Sequence, residues 1–311
     1  MDVIRTENLT KIYPRHIGRA HGRSLDSLTL TVGANEVFGF LGRNGAGKTT
    51  TIKILCSLLR QTSGTAEVMG QPARSRAARR QIGYLPENPY FYEYLTPRET
   101  LEFYGRLHGL SRQERDGEWQ KLSEMLDLRD IADQRVRGFS KGMRQRLGFA
   151  VALVGNPHLL ILDEPMSGLD PLGRRMVREL ILRLRDEGKA VFFSSHVLGD
   201  VEQICDRVGI LVQGKLVDQG AIATLLRREV QRVEVIIEGL EESAIASLAA
   251  GAESHRISEA GCHFMMGDLD TANALAEQAI RAGGRLVEFS PVKERLEDYF
   301  MRRQITAEAA S

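Results

Sequence analysis

The sequence predicts an α/β fold built on a buried sheet, followed by a small α+β domain. Three observations carry that prediction. Three short apolar runs are continuous rather than alternating: Val37-Phe38-Gly39-Phe40-Leu41, Leu159-Leu160-Ile161-Leu162 and Val191-Phe192-Phe193. Strands buried on both faces of a parallel sheet read this way. Helical patterns fill residues 87–155 between the first two runs. After Gly220 the segments follow the order β-α-β-β-α-β, which suggests a ferredoxin-like split unit.

The first apolar run leads into Gly42-Arg43-Asn44-Gly45-Ala46-Gly47-Lys48-Thr49, and a helical pattern continues over residues 49–59. The match is to G-x-x-x-x-G-K-[ST] in its required strand–loop–helix context. Glycines let successive N–H groups curl toward one anion, and the helix N-terminus adds its positive dipole end. Lys48 is expected to reach the β- and γ-phosphates of a nucleotide. The Thr49 hydroxyl is expected to ligate Mg²⁺, and Thr50 to complete the cradle.

The second run ends in Asp163-Glu164-Pro165. Ligands of open α/β sheets bind at the carboxyl ends of the strands. Two carboxylates there can divide the labour: Asp163 holds Mg²⁺ and Glu164 accepts a proton from an attacking water. The third run continues through Ser194-Ser195 to His196, whose imidazole can donate a hydrogen bond to a γ-phosphate.

Between these lies Phe139-Ser140-Lys141-Gly142-Met143-Arg144-Gln145-Arg146-Leu147, with Ser140 as a helix N-cap candidate, Gly142 leaving room for a phosphate, and a helix over residues 144–154. Together with the loop, Asp163-Glu164 and His196, this segment resembles the signature motif of ATP-binding cassette (ABC) transporter nucleotide-binding subunits. Ser167-Gly168-Leu169-Asp170 resembles that family's D-loop, and Tyr13 its adenine-stacking aromatic. The resemblance covers residues 1–220. It implies a P-loop NTPase ABC cassette, with a mixed-sheet core and an inserted helical subdomain at about residues 87–155. It also implies ATP and Mg²⁺ as ligands, ATP hydrolysis, and a head-to-tail dimer sandwiching two ATP molecules. In that dimer Ser140 and Gly142 face the ATP of the other subunit, and Asp170 couples the two sites. The assembly is a homodimer or a pseudo-symmetric heterodimer. Three departures stand out: Lys141 replaces the usual Gly, Met143 the usual Gln, and Glu87 the lid-loop glutamine. Lys141 adds positive charge near the phosphate site. Glu87 still offers an oxygen to Mg²⁺, but adds negative charge there. Exporter-type relatives with a short C-terminal domain often share these departures. Residues 14–23 form a loop longer than usual beside Tyr13.

With 42 basic and 41 acidic residues, the net charge of +1 gives no electrostatic case for nucleic acid, and none is expected as a partner. The three cysteines, Cys56, Cys205 and Cys262, lack metal spacing and read as reduced, buried thiols. No apolar run approaches the roughly 18 residues that span a bilayer, and residues 1–7 lack a signal-peptide core. A transporter subunit of this kind therefore needs a transmembrane permease on another chain. It would be cytoplasmic and peripheral on the inner membrane face. The alternative is a soluble ABC ATPase acting on nucleic acid or ribosomes, but neither a long coiled-coil insertion nor a second cassette is present.

Thr96-Pro97-Arg98-Glu99 reads as a helix start, with helices over residues 99–107 and 111–126, the second carrying Trp119 as subdomain packing. Tyr90, Phe91, Tyr92 and Tyr94 are either core or the surface that receives the permease. Arg74, Arg76, Arg79 and Arg80 read as a solvated face, with an anionic contact as the minority alternative. The domains divide at residues 1–222 and 223–311. In the second, strands are expected at 232–237, 255–258, 262–266 and 285–289, and helices at 243–250, 271–282 and 293–302. His255, Cys262 and His263 hint only weakly at metal, and a regulatory or dimer-supporting role is the expectation for this domain.

Overall fold

The chain opens with two antiparallel strands, β1 (Asp2–Tyr13), whose pairing shifts register several times, and β2 (Gly22–Gly33), which turns Leu28, Leu30 and Val32 inward. β3 (Val37–Leu41) is buried at every position, as its unbroken apolar run requires. It delivers the chain to α1 (Lys48–Leu55). β4 (Ser63–Val68), β5 (Gln71–Pro72), the short α2 (Arg76–Arg80) and β6 (Ile82–Leu85) follow. Then come three helices, α3 (Pro97–Leu107), α4 (Arg112–Met125) and α5 (Lys141–Leu153). β7 (Leu159–Asp163), α6 (Pro171–Asp186), β8 (Ala190–Ser195), α7 (Leu198–Ile204), β9 (Arg207–Val212) and β10 (Lys215–Ala221) lead to α8 (Ile222–Leu225). This computed structural model describes residues 2–14, 22–226, 232–258, 260–292 and 296–309. Most of the loop expected beside Tyr13, Glu259 in the second-domain turn, and the start of the last expected helix lie outside the described residues.

The central sheet has the order β10-β9-β3-β8-β7-β6, with β10 antiparallel to β9 and the other pairs parallel, so it is mixed. A second, antiparallel sheet has the order β2-β1-β4-β5. Phe38, Phe40 and Phe192 pack ring on ring in the core, with centroids 5.3–5.8 Å apart. Register positions the site: Leu41 pairs with Ser195, and Asp163 with Ser194. The glycine loop, the two carboxylates and the histidine therefore leave the sheet side by side.

Capping explains several boundaries. Thr96 and Glu99 form a complete capping box on α3, and Ser111 and Glu114 form one on α4. α1 is shorter than its apolar pattern suggests. It ends at Leu55, Cys56 caps it, and Ser57 turns left-handed at φ 63°. Leu59 still packs on the core, but from a turn, while Leu58 points outward. α5 begins at Lys141 with Ser140 as its N-cap, as expected, the Ser140 hydroxyl accepting from the Met143 N–H at 3.3 Å. β8 stops at Ser195, leaving His196 just beyond the strand. Trp119 is half-buried on α4, and the four arginines around α2 are exposed. Cys56 and Cys262 are buried, whereas Cys205 is partly exposed as a residue, its sulfur packed where a Gly39 Cβ would stand. Burial pushes the Cys56 and Cys205 thiols well above the ordinary range, so both stay protonated.

The chain divides into two compact units, Met1–Ile222 with Arg303–Ser311, and Ala223–Arg302. The second contains β11 (Arg232–Glu238), α9 (Glu242–Ala249), β12 (Ser254–Ser258), β13 (Gly261–Met266), α10 (Leu269–Arg281) and β14 (Arg285–Val292). α11 (Leu296–Ala309) follows, running seven residues beyond the expected end at 302. Sheet order β12-β13-β11-β14, antiparallel throughout, is the ferredoxin-like arrangement. One face buries Val233, Val235, Ile237, Phe264 and Met266 against α10. Cys262 belongs to that core. His263 points to the opposite face, 2.8 Å from both Glu234 and Ser258, so neighbouring Cys262 and His263 do not converge on one ion.

Candidate active site

The loop between β3 and α1 wraps an open concavity. Gly47 is left-handed at φ 113°, and a Cβ there would stand 2.5 Å from the Ser24 carbonyl, so both backbone and space demand glycine. Gly42 packs against the Leu211 carbonyl, and Ala46 is pinned by its carbonyl accepting from the Gly214 N–H at 2.9 Å. The loop is thus anchored from behind by β2 and the β9–β10 turn, leaving its front open.

Lys48 is almost fully buried. Its ammonium donates to the Gly42 carbonyl at 2.6 Å and lies 3.2 Å from Glu164 Oε1. Thr49 donates to Asp163 Oδ1 at 3.3 Å. Ser194 donates to the same oxygen at 2.7 Å and accepts from the Glu164 N–H at 3.0 Å. Glu164 takes a left-handed backbone, φ 49°, which is strained for a residue with a Cβ and characteristic of functional sites. Its carboxylate is 9% exposed, held at Oε2 by His196 Nδ1 at 2.9 Å. Oε1 has the Lys48 ion-pair contact and no hydrogen bond.

A cavity of about 420 Å³ is lined by Arg43, Asn44, Gly45, Gly47, Lys48, Thr49, Thr50, Glu87, Glu164 and His196, all expected from the sequence, together with Ser24 and Ser167. Asp163 stands behind Thr49. Ser24 hydrogen-bonds Thr50 at 2.8 Å. Ser24 and Ser194 carry no motif of their own, and only the strand register brings them here. Tyr13 lies outside the lining at the rim, 40% exposed, its hydroxyl 3.5 Å from Thr50 and Lys11 over its ring. Thr49 and Glu87 line the cavity and Asp163 accepts from the Thr49 hydroxyl; all three offer hard oxygen donors, the kind that suits Mg²⁺.

Ser140, Gly142 and Asp170 are not in this cavity. Ser140 is exposed at the α5 N-terminus, and a Cβ on Gly142 would meet nothing within 4 Å. Asp170 caps α6 by accepting from the Gly173 N–H at 2.7 Å. Buried Asp200 on α7 binds Arg174 at 2.5 Å and Arg178 at 2.9 Å, both on α6. The aromatic stretch splits: Phe91 is buried, while Tyr90 (82% exposed), Tyr92 and Tyr94 face outward, Tyr92 meeting Phe103 edge-on.

Comparisons with known proteins follow the same outline. The family model for ABC transporters matches residues 25–167. An ABC transporter ATP-binding protein of Synechocystis sp. is 41% identical over 308 residues, 97% of this chain and 84% of the relative. The bacitracin transport ATP-binding protein of Bacillus licheniformis is 34% identical over 305 residues, 96% of each chain. A solved ATP-binding subunit of an ABC transporter superposes with TM-score 0.64 at 30% identity, covering 72% of this chain and 91% of that one. A dimeric ATP-binding cassette in a post-hydrolysis state, bound to ADP and Pi, gives TM-score 0.64 at 23% identity over 70% and 98% of the two chains, a likeness of fold.

Proposed function

This chain belongs to the ABC transporter ATP-binding proteins and is an ABC ATPase; from that premise we propose that head-to-tail dimerisation around two ATP molecules drives a separate membrane-spanning permease in the export direction. The observation that carries the reading is the convergence of Lys48, Thr49, Asp163, Glu164 and His196 around one phosphate-sized loop. Supporting the direction are Lys141, Met143, Glu87 and a small C-terminal domain, which accompany exporter-type relatives in the family resemblance. Exposed Tyr90, Tyr92 and Tyr94 offer the permease an aromatic surface of the kind enriched at interfaces. Among the described residues no helix is long and apolar enough to cross a membrane, so the pore falls to the partner. Attachment to that partner would hold the chain at the inner face of the membrane, in the cytoplasm.

The mechanism follows from the contacts. ATP phosphates enter the loop, where backbone N–H groups and the α1 dipole receive their charge. Lys48 leaves the Gly42 carbonyl and Glu164 for the incoming phosphate, a stronger, doubly charged partner. That exchange frees Glu164 Oε1, already without a hydrogen bond, to orient a water and take its proton. His196 keeps the carboxylate aimed from Oε2. Thr49, Asp163 and Glu87 would hold Mg²⁺, which when bound neutralises phosphate charge. Tyr13 at the rim is proposed to stack on adenine. Ser140, Gly142 and Asp170 are proposed to serve the partner protomer's ATP. Residues 223–311 are proposed as an accessory domain to the cassette at 1–222.

Glu164→Gln tests the reading. Hydrolysis should slow by about 10²–10⁴, and size-exclusion chromatography should show a dimer only with Mg-ATP. Capture from detergent-solubilised membranes should then bring down a multi-spanning protein. A dimer that brings down only ribosomes or nucleic acid would move the function to the soluble class.

A further inference from the structure

The signature helix touches the backbone one residue after Glu164 through one buried side chain. Gln145, 3% exposed on α5, donates from Nε2 to the Pro165 carbonyl at 2.7 Å. Pro165 immediately follows Glu164, whose left-handed backbone needs holding. Ser194 holds the Glu164 N–H, and the Ser167 N–H holds its carbonyl at 3.0 Å. Gln145 supplies the next restraint along the chain, and it alone of the three comes from α5. It sits five residues after Ser140, about 7.5 Å along the helix axis from the exposed N-terminus. The side chain of Lys141, one residue into α5, lies over Gly168, so the same helix also borders the loop after Glu164.

We propose that Gln145 is a positioning residue that ties the signature helix to the Pro165 carbonyl, and so restrains the backbone on which Glu164 sits. The inference rests on the two-ATP dimer proposed above. In that dimer the α5 N-terminus of one protomer meets the ATP held by its partner, whereas Glu164 of the same protomer serves the ATP it holds itself. Gln145 is then a short, stiff link between the two sites inside one chain. Filling the signature end stabilises α5 and, through Gln145, sets the aim of Glu164 at the other nucleotide.

The experiment uses the full chain. Gln145→Met keeps the volume and deletes the donor. It should lower kcat about tenfold, leave KM within about twofold, and reduce an ATP Hill coefficient above one to about one. On the Glu164→Gln background it should still form the ATP-dependent dimer. Gln145→Glu adds a signature that packing alone would not produce. Its carboxyl donates only when protonated, so its kcat relative to wild type should recover as the pH is lowered. A Gln145→Met variant with wild-type kcat and Hill coefficient overturns the proposal. So does a parallel loss of kcat, KM, dimerisation and thermal midpoint, which would mark Gln145 as packing. If Glu164→Gln alone never dimerises with ATP, the two-ATP reading itself fails and takes this link with it.

Discussion

At the scale of single residues, the chemistry is set by who holds the charges before nucleotide arrives. Lys48 is buried with its ammonium shared between a carbonyl and Glu164. Such a cation is pre-aimed, and its loss removes the charge-assisted contacts to the phosphates. Lys48→Ala should therefore weaken ATP binding by at least about a hundredfold, since each hydrogen bond to a charged group contributes roughly 1.5–3 kcal/mol. Equilibrium titration with a fluorescent ATP analogue checks this, and an unchanged affinity would remove Lys48 from phosphate binding. Most of this site was legible, because Gly42 to Thr49, Asp163-Glu164 and His196 each follow an apolar strand and need the strand's end to act. Ser194 was not. A serine in a buried strand carries no periodic signal, and its role depends on β7 and β8 aligning residues 31 positions apart in sequence. Gln145 was hidden for a similar reason: it sat inside a motif valued for its phosphate-facing residues, while its own side chain faces the other way.

At the scale of elements, helix starts were easier to read than helix ends. Thr96-Pro97-Arg98-Glu99 announces its own capping box, whereas α1 stops where Ser57 turns left-handed, a choice that Leu58 and Leu59 disguise as continued helix. Contacts between helices were invisible in sequence, and the one with most consequence joins α6 to α7. Asp200 is buried between Arg174 and Arg178, and α7 begins two residues after His196. The ion pairs thus pin α7 to α6. Asp200→Ala would leave two half-buried guanidinium groups without their anion, a change that costs about 3 kcal/mol. We expect the thermal midpoint to fall by several degrees and kcat to be the more sensitive readout, since α7 starts two residues after His196. Calorimetry and steady-state turnover on the same preparation measure both. A midpoint within one degree of wild type would show that the arginines find equal partners in water.

At the scale of the whole molecule, the protomer is proposed to carry two half-sites, which share no cavity. One is the cavity around Lys48. The other is the exposed α5 N-terminus, where Ser140 caps the helix and Gly142 faces open space. A helix N-terminus with room before it suits an anion, but no phosphate held in the protomer's own cavity touches Ser140, which lies outside the lining. The ferredoxin-like order of the second unit was legible in its β-α-β-β-α-β succession of segments; the proposed division of labour came only from the family resemblance. The proposed division needs a second protomer, and that need can be tested without touching the cavity. Ser140→Arg places a long cation where the partner's nucleotide would dock and removes the cap, yet leaves Lys48, Thr49 and Glu164 in place. Monomer affinity for ATP should stay within about twofold of wild type, while sedimentation of the Ser140→Arg, Glu164→Gln double variant should show no dimer with Mg-ATP. If the double variant dimerises as readily as Glu164→Gln alone, the signature helix does not face the partner's ATP, and the two half-sites must be completed in some other way.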